Sequence, residues 1–331
     1  MKKINLFNTL LIALSFFLAF FLPFKLFLFS YAVLGPLHYL TEINWLKNKN
    51  FFTDKKKLWL NSCIILASII AIPLFFKIPL IKTFFKHSFT ENLINWLSRY
   101  TNIAIFLSLF IALILSFKTS YKNFFIYSFL GLLLGLLLTY FDYFNLWVGL
   151  FLPTVIHVYI FTILFMLYGN LKDKDNIGYV NIFLLVLTPL IICFIEVKPY
   201  GFSNYIFKTY IDNNFYVLNI KISEFLNLSD GKSFDFSNAL VLKIQMFISF
   251  AYTYHYLNWF SKTTLIGWYK NTTTKQLFIL ATIWLLSLTL YFYDYRKGLI
   301  FLFFLSYMHV FLEFPLNIIS IKGIIKNLFK K

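Results

Sequence analysis

Charged side chains are scarce in this chain. Asp, Glu, Lys and Arg make up 13% of the 331 residues, whereas a soluble globular domain contains about 25%. Hydrophobic residues account for 60% of the sequence and aromatic residues for 22%, including 45 phenylalanines. This composition argues against a soluble domain and predicts a protein that lies largely inside a membrane. Only helices or a closed barrel satisfy the backbone hydrogen bonds there.

The alternating pattern of barrel strands is also missing, because the apolar runs are long and continuous. We therefore predict an all-α fold, a polytopic transmembrane helix bundle of about ten spans that forms a single membrane domain over residues 1–331. The predicted spans are about 5–22, 26–46, 58–76, 101–117, 123–141, 146–168, 180–196, 239–260, 276–293 and 298–321.

Acidic residues are few, since 13 Asp and Glu stand against 30 Lys and Arg, and the formal net charge is +17. The basic residues concentrate in short connecting segments, such as 47–57 with its five lysines. By the positive-inside rule this pattern places both termini in the cytoplasm and makes 197–238 an extracytoplasmic connecting segment. We predict a multi-pass protein of the cytoplasmic (inner) membrane that contacts anionic lipids and binds no nucleic acid.

Several catalytic signatures are absent. The two cysteines, Cys63 and Cys193, fall in predicted spans, which indicates neither a disulfide framework nor a cysteine zinc site. The sequence has no glycine-rich phosphate loop, no His-Glu-x-x-His and no Gly-x-Ser-x-Gly motif. The repeated histidine boxes of membrane desaturases and hydroxylases are absent as well.

Histidine is rare, yet four of the five histidines lie inside predicted spans: His38, His157, His255 and His309. An ionisable residue within a membrane is costly and indicates a functional site. The four spans run in the same direction, and the histidines stand about 5 to 12 residues from the cytoplasmic ends, a depth of roughly 8 to 18 Å. Four neutral imidazoles at similar depth predict a transition-metal site, with Fe²⁺ as one candidate. The fifth, His87, is interpreted as a solvated loop residue.

Two glutamates repeat one spacing relative to these histidines. Glu42 follows His38 by four residues, and Glu313 follows His309 by four, so each pair shares a helix face. A carboxylate in that position can orient an imidazole through its second nitrogen, or can bind the metal itself. We predict Glu42 and Glu313 as catalytic residues. The alternatives are separate interhelical hydrogen bonds from each histidine and a proton relay.

At these histidines the sequence resembles the bacterial and archaeal beta-carotene 15,15'-dioxygenase family of the Brp/Blh type. Gly-Pro-Leu-His at 35–38 is similar to the early Gly-x-Pro-His element of that family. Tyr-His-Tyr at 254–256 is similar to its late aromatic-histidine helix, and Met-His-Val at 308–310 to its last histidine element. The chain departs from the family at 39–42, where Gly and Asp are replaced, and at the late helix, where a double histidine is single.

The resemblance implies an iron-dependent membrane oxidoreductase in which single histidines on separate helices hold Fe²⁺. It implies that O₂ cleaves a carotenoid or related polyene to retinal-like aldehydes. Tyr39, Tyr252, Tyr254 and Tyr256 are then expected to line a channel for the lipophilic substrate. The alternative for such aromatic residues is lipid-facing bulk, with tryptophans such as Trp259 in an interface belt.

Two functions of other classes stay open. One is a proton-coupled transporter or channel that uses the His and Glu residues as a relay, and the other is a non-catalytic membrane subunit.

Overall fold

The computed structural model describes residues 2–117, 119–197 and 201–329. It is 83% helix, and the described residues contain no strand, which confirms the all-α prediction. In chain order, helices α1 to α14 span Lys2–Phe21, Pro23–Asn48, Lys56–Phe75, Pro79–Phe84, Phe89–Ser98, Thr101–Leu115, Tyr121–Leu138, Asn145–Asp173, Asn176–Phe194, Asn204–Asp212, Tyr216–Phe225, Ala239–Lys262, Thr274–Tyr293 and Tyr295–Leu328. Two short 3₁₀ helices lie at Asn50–Phe52 and Trp268–Asn271.

Eight helices in the described part of the chain are long and apolar enough to cross a membrane: α1, α2, α3, α7, α8, α9, α13 and α14. Two further predicted spans are helical but are not both long enough and apolar enough to be counted with these eight. Helix α6 has 15 residues and meets α5 at a bend of 55°, a pair that would make a ninth span. Helix α12 has 24 residues, but many of them are polar. The structure thus supports a polytopic membrane fold, while ten spans and cytoplasmic termini stay predictions.

The chain divides into two compact units. The first unit contains the described residues of 1–38 and 158–296, and the second contains those of 39–157 and 297–331. The chain passes from the first unit to the second after His38, returns after His157, and passes to the second again after Arg296. The single domain over 1–331 stays a prediction.

Helix α12 is the centre of the first unit and packs against α1, α2, α9 and α11. It buries 15 of its 24 residues, and several of these are polar. Its Thr253 hydroxyl lies 2.8 Å from the hydroxyl of Ser30 on α2. The hydroxyl of Tyr210 donates to Gln245 Oε1 at 2.5 Å. Such polar contacts hold helices together where apolar burial gives little preference for a neighbouring helix over lipid.

The described residues of the segment 197–238 include two helices, α10 and α11. Helix α10 packs against α2, and α11 packs against α12. Tyr210 of α10 is fully buried, and its ring lies 4.9 Å from that of Phe24 and 5.7 Å from that of Phe236. The segment is therefore a folded part of the first unit, and its extracytoplasmic location stays a prediction.

In the second unit α3 packs against α5 and α6, and α6 packs against α7. Two glycines of α7, Gly131 and Gly135, face Phe110 and Phe106 of α6 so closely that a Cβ on either would meet the ring. Small residues at such positions let membrane helices approach each other.

Helix α2 widens into a π-helical turn at Ser30–Leu34, directly before Gly35 and Pro36. Proline lacks an N–H and its ring clashes with the carbonyl four residues earlier, so a regular turn cannot pass through it. The Gly35 N–H accordingly donates to Ser30 O, five residues back. Helix α8 is π-helical over Asn145–Phe161, which includes Pro153 and His157. Wide turns of this kind occur often at functional sites.

Candidate metal centre

The first unit brings two predicted ligands together. His38 of α2 and His255 of α12 place their Nε2 atoms 3.1 Å apart, and their ring centroids are separated by 4.6 Å. Both side chains are buried, with 1% and 7% of their surface exposed.

The orientation of His255 depends on Thr162 of α8. The Thr162 hydroxyl donates to the carbonyl oxygen of Val158 at 2.8 Å and lies 2.8 Å from His255 Nδ1. A hydroxyl has one proton and two lone pairs. Since the carbonyl can only accept, the Thr162 oxygen must accept from His255 Nδ1–H. We therefore assign neutral His255 to the tautomer with a proton on Nδ1 and a lone pair on Nε2.

The second unit brings the other two predicted ligands together. His157 of α8 and His309 of α14 place their Nε2 atoms 3.2 Å apart, and both are buried, with 2% and 5% exposed. His157 Nδ1 lies 3.4 Å from Glu313 Oε2, an ion-pair distance that is long for a strong hydrogen bond. The carboxylate thus faces the nitrogen of His157 that is turned away from His309.

The glutamates face histidines of other helices. Glu313 approaches His157 of α8, although the sequence spacing had paired it with His309 of its own helix. A carboxylate oxygen of Glu42 lies within 4.8 Å of a ring nitrogen of His309. His309 and Glu313, four residues apart on one face of α14, both meet His157 of α8. The second unit therefore assembles two imidazoles and two buried carboxylates.

The donor set of each unit fits a metal ion. A metal–imidazole bond is about 2.0–2.1 Å long in zinc sites. With bonds of that length, two nitrogens 3.1 or 3.2 Å apart subtend an angle of roughly 100° at the metal. This angle lies between the octahedral and tetrahedral values. The deprotonated Nε2 of His255 meets the further requirement that a ligand nitrogen carries no proton.

The four tyrosines predicted to line a channel occupy different surroundings. The Tyr256 ring lies 5.2 Å from that of His38 and 5.4 Å from that of His255, and Tyr252 is 6.2 Å from Tyr256.

Tyr254 belongs to another face of α12, where its hydroxyl lies 3.4 Å from Asn8 Oδ1 and 3.3 Å from Met166 Sδ. Tyr39 is in the second unit, with its ring 5.5 Å from that of His309. The channel itself stays a prediction.

Two contacts of the first pair were not anticipated. Thr162 is a polar residue in the predicted span of His157, and nothing in its spacing points to His255. Trp259, which the sequence interpretation placed in an interface belt, has its ring 5.7 Å from that of His38. The polar character of Thr162 inside a predicted span was the only feature of the sequence that could have indicated its role.

Comparison with known proteins adds no assignment, because no family model, curated protein or solved structure matches this chain significantly. The resemblance to the carotenoid dioxygenase family stays a prediction.

Proposed function

We propose that this chain is an iron-dependent membrane oxygenase that cleaves a carotenoid or related polyene to aldehydes. His38, His157, His255 and His309 are the proposed nitrogen ligands. One observation carries the proposal: each unit holds two buried imidazoles with their Nε2 atoms 3.1 or 3.2 Å apart. In each pair one ring is oriented from its Nδ1 side, by Thr162 or by Glu313. We further propose ten spans, two cytoplasmic termini and location in the inner membrane.

The proposed reaction is balanced without an additional reductant. One carbon–carbon double bond of the polyene breaks, and each of its carbons takes one oxygen atom of O₂, which gives two aldehydes. When bound, Fe²⁺ would supply the redox chemistry that dioxygen requires. Both aldehyde products derive only from the substrate and O₂, so no further step is needed to regenerate the protein.

Residues of the chain would bind the cation, orient its ligands and exclude water. Neutral imidazoles hold the cation, while Thr162 and Glu313 fix the orientation of His255 and His157. Buried rings such as Tyr256 give an apolar surface beside the first pair, which favours a polyene and excludes water.

The test is the metal content of the full chain purified in detergent. Iron should be present in the wild type and in His87→Ala, whose side chain is exposed, and should be lost in His157→Ala and His38→Ala. The loaded protein should convert carotenoid under O₂ to aldehydes that mass spectrometry detects. Absence of metal after anaerobic Fe²⁺ reconstitution would refute the oxygenase proposal. Solute or proton flux in proteoliposomes would then support a transporter.

A further inference from the structure

A groove in the second unit is lined by residues that are distant in sequence from all four histidines. It has a volume of about 350 Å³ and lies at the end of α6 and the start of α7. Its walls are mostly apolar and are formed by Phe110, Leu113, Ile114, Phe117, Thr119, Asn123 and Tyr127. Several wall residues are exposed at the surface, among them Leu113 at 42% and Phe117 at 60%. The groove is thus open to the surroundings of the helices, and its few polar groups, Thr119 and Asn123, belong to the turn and first residues of α7.

Two lysines from distant parts of the chain converge on that turn. Lys55, just before α3, donates from Nζ to the carbonyl oxygen of Thr119 and lies 4.8 Å from the Tyr121 ring centroid. Lys322 of α14 places Nζ 2.9 Å from Ser116 Oγ and 4.1 Å from the ring centroid of Phe117.

No carboxylate forms an ion pair with either ammonium among the residues that the structure describes. Helix α7 begins at the same place, with Ser120 as its N-cap, and a helix N-terminus adds partial positive charge. The turn therefore carries positive charge that no ion pair among the described residues neutralises, and the groove that adjoins it is mostly apolar.

Positive charge at one end and apolar walls along the rest match the two parts of a phospholipid. We propose that this groove binds a phospholipid with an anionic headgroup. Lys55 and Lys322 hold the phosphate, and one acyl chain lies along Phe110, Leu113 and Tyr127. A free phosphate ion would leave the apolar walls uncovered. The predicted topology puts Lys55, Lys322 and the α6–α7 turn on the cytoplasmic side, where anionic lipids are concentrated.

The experiment is a titration of the full chain, in dodecyl maltoside micelles, with phosphatidylglycerol, using native mass spectrometry to count bound lipid. We expect phosphatidylglycerol to bind more tightly than phosphatidylcholine. Each of Lys55→Gln and Lys322→Gln should weaken its binding about fivefold, and the double variant should weaken it about thirtyfold. Lys55→Arg keeps the charge and should keep the affinity.

Lys172→Gln is the matched control, since Lys172 lies over the Tyr168 ring in the first unit and its loss should leave binding unchanged. Leu113→Trp fills the groove from an exposed position and should reduce binding without altering the lysines. Equal affinity for the two lipids, or unchanged affinity in the double variant, would overturn the proposal. Complete displacement of lipid by inorganic phosphate would also overturn it, because the site would then be a phosphate site. These results are independent of iron content.

Discussion

Replacing Thr162 by valine removes one hydroxyl from the surroundings of His255 while keeping a β-branched side chain of similar size. Thr162 is 4% exposed and His255 is 7% exposed, so water does not readily replace the lost oxygen. The Nδ1–H of His255 then lacks the acceptor that lies 2.8 Å away in the native protein. A buried donor without a partner costs about 1–3 kcal/mol.

That energy sets the expected size of the effect. It corresponds to a preference of about 5- to 160-fold for the Nδ1–H tautomer of His255 in the native protein. In Thr162→Val the preference should largely disappear, and part of the population should carry the proton on Nε2, the nitrogen that faces His38. Loss of a residue that orients a ligand typically weakens metal binding by about 10- to 100-fold. Thr162→Ser retains the hydroxyl and should retain both the tautomer and the affinity.

The assay is nitrogen NMR of protein labelled with ¹⁵N-histidine, in which protonated and unprotonated ring nitrogens have distinct shifts. The His255 signals are identified by their absence in His255→Gln. Titration with Fe²⁺ under anaerobic conditions gives the affinity of each variant. A native protein with the proton on Nε2 of His255 would refute the tautomer assignment directly. Unchanged tautomer and affinity in folded Thr162→Val would refute the role of Thr162.

Three further predictions concern the same two units. Glu313→Gln should weaken Fe²⁺ binding by about tenfold, because an amide orients His157 less strongly than a carboxylate does, and the same titration measures this change. Glu91→Gln is its control, since Glu91 lies in the first turn of α5 and accepts from the His87 N–H at an exposed position. Gly178→Ala should lower the free energy of unfolding by about 1–3 kcal/mol, since a Cβ there meets the Asn170 side chain; thermal unfolding reports this, with Gly169→Ala, where a Cβ meets nothing within 4 Å, as the comparison. Removal of iron by a chelator should lower the unfolding midpoint of the wild type, by the equivalent of about 2.7 kcal/mol if free iron had been present at a hundred times its dissociation constant. The midpoint of His157→Ala should not respond to the chelator.

Much of the helical fold could be predicted from the sequence, because hydrophobicity and length act locally. Each of the ten predicted spans coincides with a helix or with most of one. Helix α12 coincides with the predicted span 239–260, but it is not among the helices of the described residues that are apolar enough to span alone, so this span stays a prediction. The two helices in 197–238 were not predicted, because their packing against α2 and α12 is a tertiary property.

The candidate site was predictable in its members but not in its pairing. Four histidines within apolar runs indicate function because burying them is costly, and all four are at most 7% exposed. Which histidine meets which depends on the contacts between helices, and spacing within one helix carries no such information. For the same reason the partner of Glu313 on α8 and the role of Thr162 required the three-dimensional structure.

The polarity of α12 has a consequence for how the protein is made. A helix whose interior includes Gln245, Thr253, His255 and Asn258 gains little by entering lipid alone, since polar residues near the centre of a span oppose insertion. Residues of α2 and α8 contact three of these side chains: Pro23 O accepts from Gln245, Ser30 meets Thr253 and Thr162 meets His255. Both helices are synthesised before α12. We expect α12 to remain at the insertion machinery until it docks on those helices. Membrane insertion of the His255 helix and assembly of the first histidine pair would then be one cooperative event during biogenesis.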